Sequence, residues 1–348
     1  MITEVPVEQL RALFHAAQRF CQLAPWTFIG DDQVFGVVNP ANGEKAYLTV
    51  MGSMGEYFAL GVYPGAEGFR SLSRLFDEEN EEDPEESIYQ QHCLICAFEN
   101  EEDLDPDDLA LIKHVGVPFK GENTFPNFRS YLPGYMPWVP AASDVQLLQV
   151  ALEQATWVAE QMLQNPALLA EAGEGLSKVY FRVPTENGTQ GWKSEILPAD
   201  NKIDLSPPQL SIPLGEVASL KQLKRSDSIW LFEQLFLNMP SMDPGEERPF
   251  FPKAIVLLDV EDQTMAGVEV VKPSEADDSI ADMMVTAFRD NGALPGQIVV
   301  ASREHYILLK SFCKAINVDL YLDAEMQVIS ELREAIMEMM EGQSEQED

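Results

Sequence analysis

Between Ala254 and Met340 the sequence alternates strand-like and helix-like hydrophobic periods, and this limits the available folds more than any other feature. Ala254 to Asp259 is an apolar run ending in acid, and Met265 to Val271 reads as its hairpin partner. Glu275 to Asn291 has helical spacing and is closed by Gly292. Gln297 to Ala301, Arg303 to Ile316, Val318 to Leu322 and Ala324 to Met340 then extend the order to β-β-α-β-α-β-α. Crossovers of this kind lay helices against a sheet, so a C-terminal three-layer α/β domain is predicted over residues 253–341, with its later strands parallel. Residues 342–348 follow as a flexible tail.

The N-terminal region has a different rhythm. Leu10, Leu13, Phe14, Ala17, Phe20 and Cys21 recur at helical spacing between Pro6 and Leu23. Thr27 to Ile29, Val34 to Val38, Ala46 to Met51 and Tyr57 to Val62 then read as an antiparallel meander, followed by a helix from Glu67 to Phe76. The acidic stretch Asp77 to Ser87 is expected to be a solvated loop. A strand over Gln91 to Phe98, a helix opened by Asp105 and Pro106, an irregular aromatic and proline-rich stretch from Phe119 to Pro140, and a helix from Ser143 to Gln164 complete the pattern. Residues 1–165 are therefore read as an α+β region with an antiparallel sheet. Residues 166–240 form a mixed middle segment with a hairpin over Val179 to Val183 and Trp192 to Leu197, and a strand over Ser228 to Leu237. The proline-rich run from Asn238 to Pro252 places a linker at residues 241–252, and a cut within Ser241 to Arg248 is expected to release a folded C-terminal domain.

Charge narrows the partners. The 348 residues carry 23 Lys and Arg against 58 Asp and Glu, a formal net charge of -35. Such a surface repels phosphate backbones and anionic lipid heads, so neither nucleic acid nor membrane is expected as a partner. No apolar run is long enough to cross a bilayer, and the first helix has no signal-sequence pattern. Cys21, Cys93, Cys96 and Cys313 do not form a disulfide framework and fit reduced thiols in a cytoplasmic setting.

The candidate chemistry is sparse. His92-Cys93-Leu94-Ile95-Cys96, with His114 downstream, has the C-x2-C spacing of a zinc site, but a strand sends positions three apart to opposite faces, so these cysteines read as buried apolar residues. The glycines of MGSMGEYFALGVYPG fit hairpin turns, since no Gly-Lys-Ser or Gly-Lys-Thr follows, and Ser53 lacks the spacing of a nucleophile elbow. In the segment FRSYLPGYMPW, Phe128, Tyr131, Tyr135 and Trp138 read first as core and loop anchors, with an exposed surface for a peptide or another subunit as the alternative. Asp259, with Glu261 and Asp262 beside it, could hold a divalent metal or could simply form a polar hairpin turn.

The text IVLLDVEDQTMAGVEVV followed by IVVASREHYILLKSFCKAINVDLYLD resembles a shortened ribonuclease-H-like core of the transposase and integrase type. The resemblance implies a metal-binding Asp on the first strand, a place that Asp259 could fill, and a second acid after the strand that follows the first helix. Ser302 occupies that second place, and a hydroxyl cannot supply a carboxylate's charge to two ions. The early stretch from Pro25 to Phe69 and the late stretch from Pro249 to Pro273 resemble bacterial cytosolic proteins classed as domains of unknown function. The expected function is thus a non-enzymatic cytosolic binding or accessory protein with no cofactor and a possible protein partner. The alternative is a metal-dependent hydrolase or nuclease-like enzyme centred on Asp259, with Asp262 as a further ligand.

Overall fold

In the computed structural model, which describes residues 5–76, 88–173, 175–185, 191–200, 210, 212–323, 328, 332 and 336, the apolar stripe of the first helix is buried along its length in α1 (Val7–Leu23). Ala24, in the left-handed region at φ 48°, ends it, and Pro25 opens a 3-10 turn over Pro25–Thr27. This turn replaces the strand expected at Thr27 to Ile29, because proline fixes φ and supplies no ladder donor. The chain divides into two compact units, Met1–Pro133 with Pro137–Asp204, and Gly134–Met136 with Leu205–Asp348.

The first unit continues with β1 (Phe35–Val38), β2 (Lys45–Met51), β3 (Phe58–Pro64), α2 (Gly65–Leu75), β4 (Cys93–Glu99), α3 (Pro106–Val115), β5 (Phe125–Tyr131), α4 (Ala142–Met162), β6 (Lys178–Pro184) and β7 (Trp192–Pro198). Its sheet runs β5-β4-β3-β2-β1-β6-β7, antiparallel throughout except where β1 meets β6. Two-residue alternation sorts the side chains. Leu48, Val50, Leu60, Val62, Cys96 and Phe98 face α1 and α4, whereas Tyr47, Tyr63, Cys93, Ile95 and Phe181 pack with Phe69 and Leu72 of α2. The stretch expected to be irregular contains β5, paired over its full length with β4. It is an edge strand, where Pro126 can sit without breaking a ladder on both sides. The acidic run Asp77 to Ser87 lies outside the described residues.

Arg129 ties β5 to α3. Its guanidinium donates to Asp108 through Nη1 at 3.0 Å and Nη2 at 2.5 Å, and to Asp105 through Nη2 at 2.8 Å. The hydrogen bonds to Asp108, more than any other contact, hold the guanidinium pKa above its ordinary value. A forked donor meeting a planar carboxylate is the strong form of such a pair.

The second unit comprises α5 (Leu214–Leu220), β8 (Lys224–Arg225), β9 (Ile229–Phe236), β10 (Lys253–Asp259), β11 (Thr264–Val271), α6 (Ala276–Asn291), β12 (Ala293–Leu294), β13 (Gln297–Val300), α7 (Arg303–Ile316) and β14 (Asp319–Leu322). Its main sheet runs β11-β10-β9-β13-β14. The first three strands are antiparallel, and β9, β13 and β14 are parallel neighbours. One sheet face packs Trp230, Phe232, Ile255 and Leu257 against α6 and α7; the other packs Leu231, Leu235, Val256 and Leu258 with Leu332 and Ile336. Residues 328, 332 and 336 are helical, which gives the three layers expected; the rest of Ala324 to Met340, like the tail 342–348, lies outside the described residues.

The domain boundary differs from the sequence expectation. The strand assigned to the middle segment is β9, which lies at the centre of the C-terminal sheet between β10 and β13. The run at 241–252 therefore connects two adjacent strands of one sheet, and the unit begins at Leu205. Gly134–Met136 also belongs to this unit: Phe251 N donates to Gly134 O at 2.8 Å, and Met136 N donates to Pro249 O at 3.0 Å. At φ +78° Gly134 adopts a conformation that favours glycine, and an added Cβ would lie 2.4 Å from Pro273.

Candidate functional site

Asp259 closes β10 with its carboxylate already engaged. Trp230 Nε1 donates to Oδ2 at 2.9 Å, while the backbone N–H groups of Glu261 and Asp262 donate to Oδ1 at 3.1 and 3.4 Å. This is an Asx-type turn, in which the aspartate replaces backbone acceptors. Glu261 and Asp262 are exposed in the same turn. Ser302, at the place where the resemblance implies a second acid, caps α7 by accepting from His305 N at 3.1 Å. Among the described residues, no three His, Cys, Asp or Glu side chains converge in a metal-binding arrangement.

The cysteine pair is divided by its strand. Cys93 is buried with Tyr63 and Phe69 on one face of the first sheet, and Cys96 with Phe20 and Phe98 on the other. His92 pairs with Glu67 at 3.2 Å, and His114 is exposed near the end of α3, so these four residues form no common centre. Burial pushes the Cys93 thiol up to about 12 and Cys96 well above its ordinary value.

Two buried charged residues lie inside strands expected at Val179 to Val183 and Ser228 to Leu237. Glu233, in the middle of β9, is wholly buried, with Oε1 3.5 Å from His305 Nδ1 and accepting from Gln234 N at 3.0 Å. The His305 ring stands edge-on to Phe232 at 5.4 Å. Arg182, in β6, is 5 % exposed, and its guanidinium lies over the Trp157 ring at 3.6 Å. The signal for each was in the sequence: a single charge inside an apolar run, Ile-Trp-Leu-Phe-Glu-Gln-Leu-Phe or Val-Tyr-Phe-Arg-Val, is costly to bury and calls for a reason.

An open groove of about 540 Å³ lies in the first unit, between the Pro25–Thr27 turn and the β2–β3 hairpin tip. Trp26, Phe28, Ile29, Met54 and Phe58 give it an apolar lining, with the rings of Trp26 and Phe58 5.0 Å apart. Gly52 and Gly55, both at positive φ, form the hairpin tip, and Ser53 N donates to Asp31 Oδ1 at 3.1 Å. The glycine run is thus a turn, as expected, and it shapes the groove. Met54 is 84 % exposed there, and the neighbouring Asp31, Asp32 and Glu56 are exposed acids. Of the FRSYLPGYMPW aromatics, Tyr135 packs against Phe250 and Trp138 bridges to Ser130.

The fold and these sites define a mixed α/β protein of two units, with no helix among the described residues long and apolar enough to cross a membrane. Residues 11–182 match the family model of a domain of unknown function, DUF7309, and residues 216–337 match that of a second, DUF6930. The two matches cover separate stretches of the chain, and the second includes β9, in agreement with the structural division near Leu205. No curated protein matches the chain.

Proposed function

We propose that this is a non-enzymatic, cytoplasmic binding or accessory protein of bacterial type, which receives an apolar side chain of a partner protein in the groove of its first unit. The carrying observation is the solvent-open apolar groove beneath an almost fully exposed methionine. An exposed apolar side chain such as Met54 beside an apolar groove is stabilised when a partner covers both. The partner segment is basic around its apolar anchor, because Asp31, Asp32 and Glu56 flank the groove on a chain of net charge -35. Four buried, unpaired cysteines support the cytoplasmic assignment. The test is selection of displayed random peptides on the intact protein. Enrichment of Leu, Phe or Met flanked by Lys or Arg, with binding weakened by Met54→Ser, is the expected result; peptides that bind Met54→Ser equally well would refute the assignment.

The second reading is a ribonuclease-H-like core in the second unit, and the strand order β11-β10-β9-β13-β14 supports it at the level of fold. The meander starts at β9, so Glu233 rather than Asp259 takes the place of the first-strand acid. That carboxylate is buried beside His305, and Asp259 serves a turn, so the core works as a scaffold rather than as a two-metal nuclease. Cleavage of DNA or RNA with Mg²⁺ or Mn²⁺, abolished by Asp259→Asn or Glu233→Gln in folded protein, would make the enzyme reading the leading one.

A further inference from the structure

Arg182 projects from β6 toward α4, on the same face as Tyr180, and neither its burial nor its partners account for its charge. Nε donates to Gln154 Oε1 at 3.1 Å, Nη1 donates to Ser194 Oγ at 2.8 Å, and the guanidinium is stacked on Trp157. Tyr180 completes the cluster by donating its hydroxyl to the same Ser194 oxygen at 2.6 Å. All the hydrogen-bond partners are neutral. Among the described residues no carboxylate pairs with Arg182, and Nη2 has no hydrogen-bond partner. The contrast with Arg129, which holds two aspartates, shows what the same side chain does when it serves structure alone.

The lack of a counter-ion among the described residues is not explained by scarcity, because the chain has 58 acids and only 23 Lys and Arg. Burying an arginine without a carboxylate is costly, and stacking on an aromatic face offsets only part of that cost. Desolvation lowers the guanidinium pKa, yet an arginine remains charged at any physiological pH. The cluster lies close to the surface: β7 is an edge strand, and Ser194, directly opposite Arg182 in the β6–β7 ladder, is exposed.

We infer that the Arg182 cluster is a binding site for a carboxylate monoanion, with the Nη2 end and the Ser194 hydroxyl as donors and Trp157 as the fixed floor beneath the guanidinium. A carboxylate is favoured over phosphate because two donors, Nη2 and the Ser194 hydroxyl, match its two oxygens, whereas a dianion would meet one cation on a strongly acidic protein. The site stands apart from the groove at Trp26 and Met54 and does not depend on its role.

The experiment is thermal unfolding of the intact chain in sodium acetate, in sodium phosphate, and in sodium chloride at matched ionic strength. Acetate is expected to raise the midpoint saturably above chloride and above phosphate, as a ligand of the native state must. The rise is lost in Arg182→Met and weakened in Arg182→Lys, which keeps the charge but not the fork. Should Arg182→Met fail to fold, quenching of tryptophan emission by acetate in the wild type, absent in Trp157→Phe, carries the test. A larger rise with phosphate than with acetate would overturn the carboxylate assignment. Equal midpoints in acetate and chloride, or an acetate effect unchanged in the Arg182 variants, would overturn the site.

Discussion

Asp259 shows how one side chain can look like chemistry in sequence and be turn structure in space. Its three acceptor contacts hold the Trp230 indole and two turn amides, so Asp259→Ala is expected to cost about 1–3 kcal/mol in urea unfolding by leaving donors without an acceptor. A metal site without its ion predicts the opposite, since removing one of three neighbouring acids relieves repulsion. Arg129 gives a second expectation at this scale: Arg129→Met should destabilise the first unit by about 3 kcal/mol, because Asp108 would keep a largely buried charge without its partner. The cysteines set a pH dependence. Burial pushes Cys21 up to about 11, and Cys93 and Cys313 up to about 12, while an unfolded thiol ionises near about 8.5. Above that pH the unfolded chain has lost protons that the native chain keeps, so these groups lower stability as pH rises from about 8.5 toward 11 or 12. Urea midpoints between pH 7 and 10 should fall less steeply in Cys93→Ala than in the wild type. Thiol reagents should label native Cys93 only after unfolding.

At the scale of elements, the place of β9 decides how the second unit can be cut. A fragment beginning at Pro249 lacks the strand that joins the antiparallel to the parallel half of the sheet, so it should be molten, whereas residues 205–348 should unfold cooperatively. Circular dichroism of the two fragments on heating checks this, and a cooperative transition in the shorter one would contradict it. The elements themselves were legible: the helical stripe of α1, the alternation of β2 and β3, and the strand and helix order after Lys253 all follow from local periodicity. The boundary was not, because the prolines between Asn238 and Pro252 look the same in a loop within one sheet as in a linker between domains. The strand β5 was hidden by Pro126, which an edge position tolerates. Among the candidate sites, the separation of Cys93 from Cys96 follows from strand alternation. The groove draws Trp26 and Phe58 together across more than 30 residues, and the Arg182 cluster joins α4, β6 and β7; contacts between such distant positions leave no local pattern.

For the whole molecule, the proposed function joins the excess of acid to the groove. On the proposed function, a net charge of -35 would steer a basic segment toward the chain without fixing its register, and the groove beside Met54 would fix it by taking the segment's apolar side chain. Electrostatic attraction weakens as salt shortens the screening length, while the apolar contact persists. The most direct measurement is a fluorescence anisotropy titration of a labelled peptide with a leucine between flanking lysines, against the intact protein at low and high salt. The account predicts saturable binding that weakens with salt in wild type and in Met54→Ser alike, with Met54→Ser weaker by about tenfold at either salt, as expected for loss of a central apolar contact. Equal affinity of the wild type and Met54→Ser would contradict it, because the attraction would then be charge alone and the groove would play no part.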